Sequence, residues 1–134
     1  MERLMSSAAE SVKIVLPLPP SVLSPNCQHG SFGGRMKRAA ATKKCRRLSC
    51  EAIIAQAIES GPWECATVSA MFFHKNNRRR DGCNFNAMLK AYQDGAVDSG
   101  LLVDDDSRHL TTLPPTFHID RTHPRVEMVF SRIS

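Results

Sequence analysis

Eight prolines divide this chain of 134 residues more firmly than any other feature it carries. Proline locks its own φ and has no backbone N–H, so it cannot sit inside a helix or a central strand. Pro17, Pro19, Pro20 and Pro25 therefore make an extended loop of the stretch that follows Leu16. They close a short β-rich run, Val12 to Leu16, which reads as a strand. Gly61-Pro62 stops whatever precedes it, and Pro114-Pro115 and His123-Pro124 interrupt the last third of the chain.

The segments left between these breaks alternate in type. From about Met36 to Glu59, Leu48, Ala52, Ala55 and Ile58 recur at three- and four-residue spacing, the signature of a helix, basic in its first half and apolar in its second. The stretch from Cys27 to Gly34 holds three glycines and no apolar period, and reads as a loop. Ala66 to His74 is rich in β-formers. A second helix is expected from about Cys83 to Asp98, with Phe85, Met88, Leu89, Tyr92 and Ala96 as its core stripe and Ser99-Gly100 as its end. Leu110–Leu113, Thr116–Ile119 and Val126–Phe130 are further strand candidates. The expected fold is a single α+β domain over residues 1–134, α/β-like in character, with a small mixed sheet packed against two main helices. Residues 1–11 read as a flexible terminus; Met1 to Lys13 lacks the apolar core of a signal peptide and mixes Glu2, Arg3 and Glu10.

No run of about 18 apolar residues exists, which excludes a membrane-spanning helix. The five cysteines are odd in number and show no Cys-x-x-Cys spacing, which argues against a disulfide framework and against structural zinc. Reduced thiols in a cytoplasmic protein are the expectation. The net charge of +5 is concentrated in two clusters. One contains Lys37, Arg38, Lys43, Lys44, Arg46 and Arg47, and the other Arg78, Arg79 and Arg80. Such patches point to an anionic partner, nucleic acid foremost, although a solvated helix face has the same composition.

Between and after these clusters stands an acidic constellation. Asp81 lies near the N-cap of the second helix, and Asp104-Asp105-Asp106 follows that helix after a short link. If the link folds back, the carboxylates converge, and converging carboxylates suit Mg²⁺, a hard cation that keeps several waters for substrate phosphate. The same residues also fit a helix cap and a solvated turn. At about 100° per residue, Cys83 and Lys90 fall on nearly one face, with Asp94 one turn further on. Lys90 is thus placed either to neutralise charge at a phosphate or to pair with Asp94 at i,i+4.

Arg79-Arg80-Asp81-Gly82-Cys83-Asn84, then Lys90, Asp94-Gly95 and Gly100-Leu101-Leu102-Val103-Asp104-Asp105, resembles the signature of the RusA-type Holliday junction resolvases. Pro19 to Asn26 is similar to that family's N-terminal loop, and a basic helix follows in both. The resemblance spans roughly Val12 to Phe130. It implies a homodimeric endonuclease of DNA recombination and repair, of bacterial or phage type, that nicks four-way DNA junctions symmetrically with Mg²⁺, Mn²⁺ being an alternative metal only on account of the thiol of Cys83. It assigns Asp81 and Asp105, or else Asp104, to the metal, and Lys90 to the reacting phosphate. Arg78, Arg79, Arg80, Lys37, Lys43 and Lys44 would contact DNA. One position departs from the family: Cys83 stands where a second metal-binding aspartate is expected. A thiol is a soft and weak ligand for Mg²⁺. A junction-binding protein that no longer cuts is therefore the alternative, and an assembly protein with solvated acids a third reading.

Overall fold

The computed structural model describes residues 10–24, 31–78, 80 and 82–133, with the side chain of Cys83 left out. It is an α+β fold: five strands in one mixed sheet, with the helices packed on one of its faces. β1 (Ser11–Leu16) runs antiparallel to β5 (Arg125–Arg132), and β5 runs antiparallel to β2 (Ala66–His74). Two short strands, β3 (Leu110–Thr112) and β4 (Thr116–Ile119), lie parallel to successive parts of β2. They are one edge broken in two by Pro114-Pro115, which cannot donate to the ladder. Ser11, at the end of the expected flexible terminus, already pairs with Ser131.

Alternation along the strands decides which face is covered. Val12, Ile14 and Leu16 of β1, Val68, Ala70 and Phe72 of β2, and Val126, Met128 and Phe130 of β5 are buried together. The helices complete this core: α1 (Phe32–Ile54), α2 (Gly82–Met88) and α3 (Lys90–Asp98). The expected stripe of the second helix is found, with Met88, Leu89, Tyr92 and Ala96 buried and Phe85 packed against the core. Cys45, Cys50 and Cys65 are free thiols. Among the described residues no helix is long and apolar enough to cross a membrane.

Three sequence expectations are corrected. The first helix begins at Phe32, not Met36, because Ser31 caps it, its Oγ accepting a hydrogen bond from the Gly34 amide at 3.0 Å. Of the Cys27–Gly34 loop, Phe32, Gly33 and Gly34 are therefore helical, and 25–30 lie outside the described residues. That helix ends at Ile54 and Ala55 is exposed; Leu48, Ala52 and Ile58 of the expected stripe pack against the core, and the buried positions beside them are Cys45, Ser49 and Ile53. The second helix is not continuous: a turn at Leu89 divides it into α2 and α3.

A close approach locks α3 onto α1. A Cβ added to Gly95 would stand 2.7 Å from Ser49 Cβ and closer still to the Arg46 carbonyl oxygen. Only glycine permits that spacing. Ser49 Oγ, fully buried, donates to the Tyr92 carbonyl at 2.7 Å, and the Tyr92 hydroxyl donates to the Pro17 carbonyl at 2.7 Å. The proline loop, α1 and α3 are thereby pinned together at one end of the sheet.

Candidate active site

Three segments far apart in sequence meet where α3 begins. After α3, Gly100 takes the left-handed conformation (φ 86°) that lets the chain reverse. Leu101 and Leu102 then bury themselves beside Trp63, whose amide donates to the Leu101 carbonyl at 2.7 Å. The Val103 amide returns a bond to the Trp63 carbonyl at 3.0 Å. This anchored reversal brings the acidic run back to the start of α3. The Lys90 ammonium there bonds the Asp105 carboxylate directly and donates to Asp94 Oδ1 at 2.9 Å.

The two carboxylates are differently held. Asp105 has only 12% of its side chain exposed, and burial by itself pushes its carboxyl up. The hydrogen bonds from Lys90 and its neighbours outweigh that burial and leave the group below the usual carboxylate range. Asp94 is pushed up, chiefly by burial and further by the Asp105 charge beside it, while Lys90 acts in the opposite sense. Lys90 itself is raised, first by its bond to Asp105. One cation is thus shared by two acids.

The other two aspartates of the run have separate tasks. Asp104 is exposed, and its Oδ1 accepts from the Asp105 amide at 2.7 Å, so it shapes the turn. Asp106 turns away, pairing with Arg108 at 3.2 Å and accepting from the Arg108 amide at 3.0 Å. Of the three, it is Asp105 that reaches Lys90. Asp81 and Arg79 lie outside the described residues, as does the Cys83 side chain. Among the described residues no group of three or more His, Cys, Asp or Glu side chains is arranged to hold a metal ion.

The surroundings are cationic. α1 places Lys37, Lys43 and Lys44 on its exposed surface, whereas Arg46 is committed to Asp98 through a two-pronged pair at 2.5 and 2.9 Å. Arg38 donates to the Val22 carbonyl at 3.0 Å, tying α1 to the short 3₁₀ turn Ser21–Leu23 of the proline loop. Leu23, Arg38, Thr42, Lys90 and Asp94 line a small cleft of about 170 Å³ between that turn, α1 and α3. Ser24 of the same loop donates to Asn84 Oδ1 at 3.1 Å, linking the loop to the segment after Asp81. α2 is seated by Phe85, which meets Phe72 edge-on at 5.1 Å and Phe117 at 5.5 Å. In the second basic cluster Arg78 is exposed, and Arg80 bonds the Arg78 carbonyl and Asn76 Oδ1.

Sequence reasoning underrated Asp94, which it saw as a plain i,i+4 partner of Lys90. In the fold it is a full member of the cluster, and the missing signal was the return of Asp105 to the same ammonium. Comparison with family models and with curated proteins gives no match to this chain. The class defined by fold and site is therefore a basic α+β domain with a lysine-bridged pair of aspartates beside a cationic helix.

Proposed function

We propose that this chain is a metal-dependent, structure-selective endonuclease of the RusA type, acting as a homodimer on four-way DNA junctions in a bacterial or phage setting. The observation that carries the reading is the convergence of Lys90 and Asp105, fifteen residues apart in sequence, on one ion pair. Two members of the motif series that are separate in sequence are neighbours in space, as a shared role at one phosphate requires. Two-fold symmetry suits the task, since two equivalent sites address two equivalent phosphodiesters.

The donor chemistry fits a hard cation. Mg²⁺ is commonly held by one or two carboxylates and retains waters for the substrate. Asp105, with Asp81 and Asp104, is the set that would hold it, and Asp94 adds a further oxygen-bearing group next to Asp105. When bound, the ion would supply an activated water and stabilise the leaving oxygen. The protein's own part is positional. Lys37, Lys43 and Lys44 along α1, and Arg78 to Arg80 beyond β2, would hold the phosphate backbone through charge-assisted contacts. Lys90, kept protonated by its carboxylates, would neutralise charge at the scissile phosphate.

A specific feature favours a second reading, a junction-binding protein that no longer cuts: Cys83 removes one of the expected carboxylates. Incubating the chain with a synthetic four-way junction and Mg²⁺ or Mn²⁺ separates the two. Paired symmetric nicks are expected, and Cys83→Asp is expected to raise their rate. Tight junction binding without nicks under either metal would leave only the binding protein.

A further inference from the structure

The outward face of α1 has a composition that phosphate binding alone does not require. At about 100° per residue, Phe32, Met36, Lys43 and Arg47 form one stripe, roughly opposite Cys45 and Ala52, which pack toward the core. Phe32 is 71% exposed and Met36 56%, so the first turns of the helix present an aromatic ring and a thioether to solvent. Between Phe32 and Cys50 stand seven cations and no acid. Arg35, Lys37, Lys43 and Lys44 make no ion pair among the described residues, and Arg47 approaches Glu51 no closer than 3.9 Å.

A cationic rod with an apolar tip suits a ligand that is anionic along its length and offers an apolar surface at one point. Continuous duplex DNA supplies the phosphates, but its base faces are hidden in the stack. They become available where stacking is interrupted, at a branch point. A membrane surface would call for apolar residues along the whole helix. Past Met36 the outward stripe offers Ala39 and Ala40, then Lys43 and Arg47, and the next large apolar side chain exposed on it is Ile54, at the far end of the helix.

We infer that Phe32 and Met36 form a base-stacking tip, which engages the exposed base faces of a DNA branch point while the cations of α1 hold the adjoining phosphates. The inference rests on the DNA-junction reading above and assigns the junction selectivity of that reading to a definite place. Stacking on an aromatic side chain tolerates any base, because every base has a π-face. Selectivity would then follow branch geometry and not sequence.

Binding to a four-way junction and to a linear duplex of equal length, followed by fluorescence anisotropy over a salt series, tests this. A junction carrying 2-aminopurine at the branch reports stacking directly. The intact chain is expected to change the 2-aminopurine signal. Phe32→Ala with Met36→Ala should abolish that change and weaken junction binding roughly tenfold. Duplex affinity and salt slope should stay as they were. Phe32→Leu, which keeps the apolar bulk but not the ring, should lose the 2-aminopurine response too. Lys43→Ala with Lys44→Ala should instead weaken both DNAs alike and flatten the salt dependence.

Equal losses on junction and duplex in the tip variant, or undiminished junction preference, would overturn the inference. So would a shift of the tip variant toward monomer in sedimentation, which would mean that a second copy covers the tip. Loss of binding to anionic vesicles in place of DNA would likewise overturn it. An intact chain that ignores junctions sinks both readings. An intact chain that nicks them, with the tip variant equally selective, sinks this one alone.

Discussion

Two clusters of charge flank the sheet, and they differ in balance. On the face away from the helices, Lys13 pairs with Glu127 at 2.8 Å, and Arg125 pairs with Glu127 at 2.7 Å and with Asp120 at 2.8 Å. The Arg125 guanidinium also lies 3.9 Å over the Phe73 ring. Two cations meet two acids there, and both acids are depressed. Arg125 and the Thr122 groups bring Asp120 down to about 2, and Lys13 then Arg125 lower Glu127. At the start of α3 one ammonium serves Asp94 and Asp105, with Asp104 alongside, and Asp94 is displaced upward. The first cluster is satisfied and holds strands together. The second carries surplus negative charge beside a cationic helix. Such strained ionisation is characteristic of functional sites, although ion-pair networks also produce it.

Three measurements break or sharpen this contrast. The largest effect is expected from Asp105→Asn, which should cut junction nicking by roughly a hundredfold or more, in line with loss of one charge-stabilising group at a reacting centre. Asp120→Asn should leave nicking unchanged. Comparable losses in both variants would erase the distinction between the clusters.

Next comes Gly95→Ala. Its Cβ would meet Ser49 Cβ at 2.7 Å, so α3 must move off α1, at a cost of about 1–3 kcal/mol in urea unfolding. Nicking should fall as well, because Lys90 and Asp94 ride on α3. Wild-type stability in this variant would show that the approach of the two helices is not what sets the site.

The smallest effect lies in the pH dependence of melting. Asp120 has a folded-state value of about 2 against an ordinary 3.8, so the fold favours its ionised form. Its contribution is full above the ordinary value and disappears as pH falls through about 2. Asp120→Asn should therefore lower Tm at pH 7, with the gap to wild type closing toward pH 2. Asp94 is shifted the other way, mainly by burial, so the fold disfavours its charge. At neutral pH Asp94→Asn should cost no stability or yield a slight gain. A clear loss of Tm there would place Asp94 among the structural pairs.

Several elements were legible before folding because their signals are local. The prolines ended β1 and split the β3–β4 edge, and the Phe85–Ala96 stripe faced the core as its spacing required. The start of α1 was misjudged because Gly33 and Gly34 weaken a helix by propensity, while the Ser31 cap satisfies orphan amides and prevails. The break at Leu89 carried no marker residue at all.

The sequence by itself determined the inventory: where regular structure had to stop, which stretches were cationic, and that Lys90, Asp94 and the Asp104–Asp106 run lay within one turn-linked segment. Which aspartate meets the lysine was decided only by tertiary structure. Three adjacent carboxylates are chemically equivalent in a string of letters. They become different when Gly100 reverses the chain and Trp63 anchors Leu101 and Val103, because that fixed path directs Asp105 to Lys90 and turns Asp106 toward Arg108.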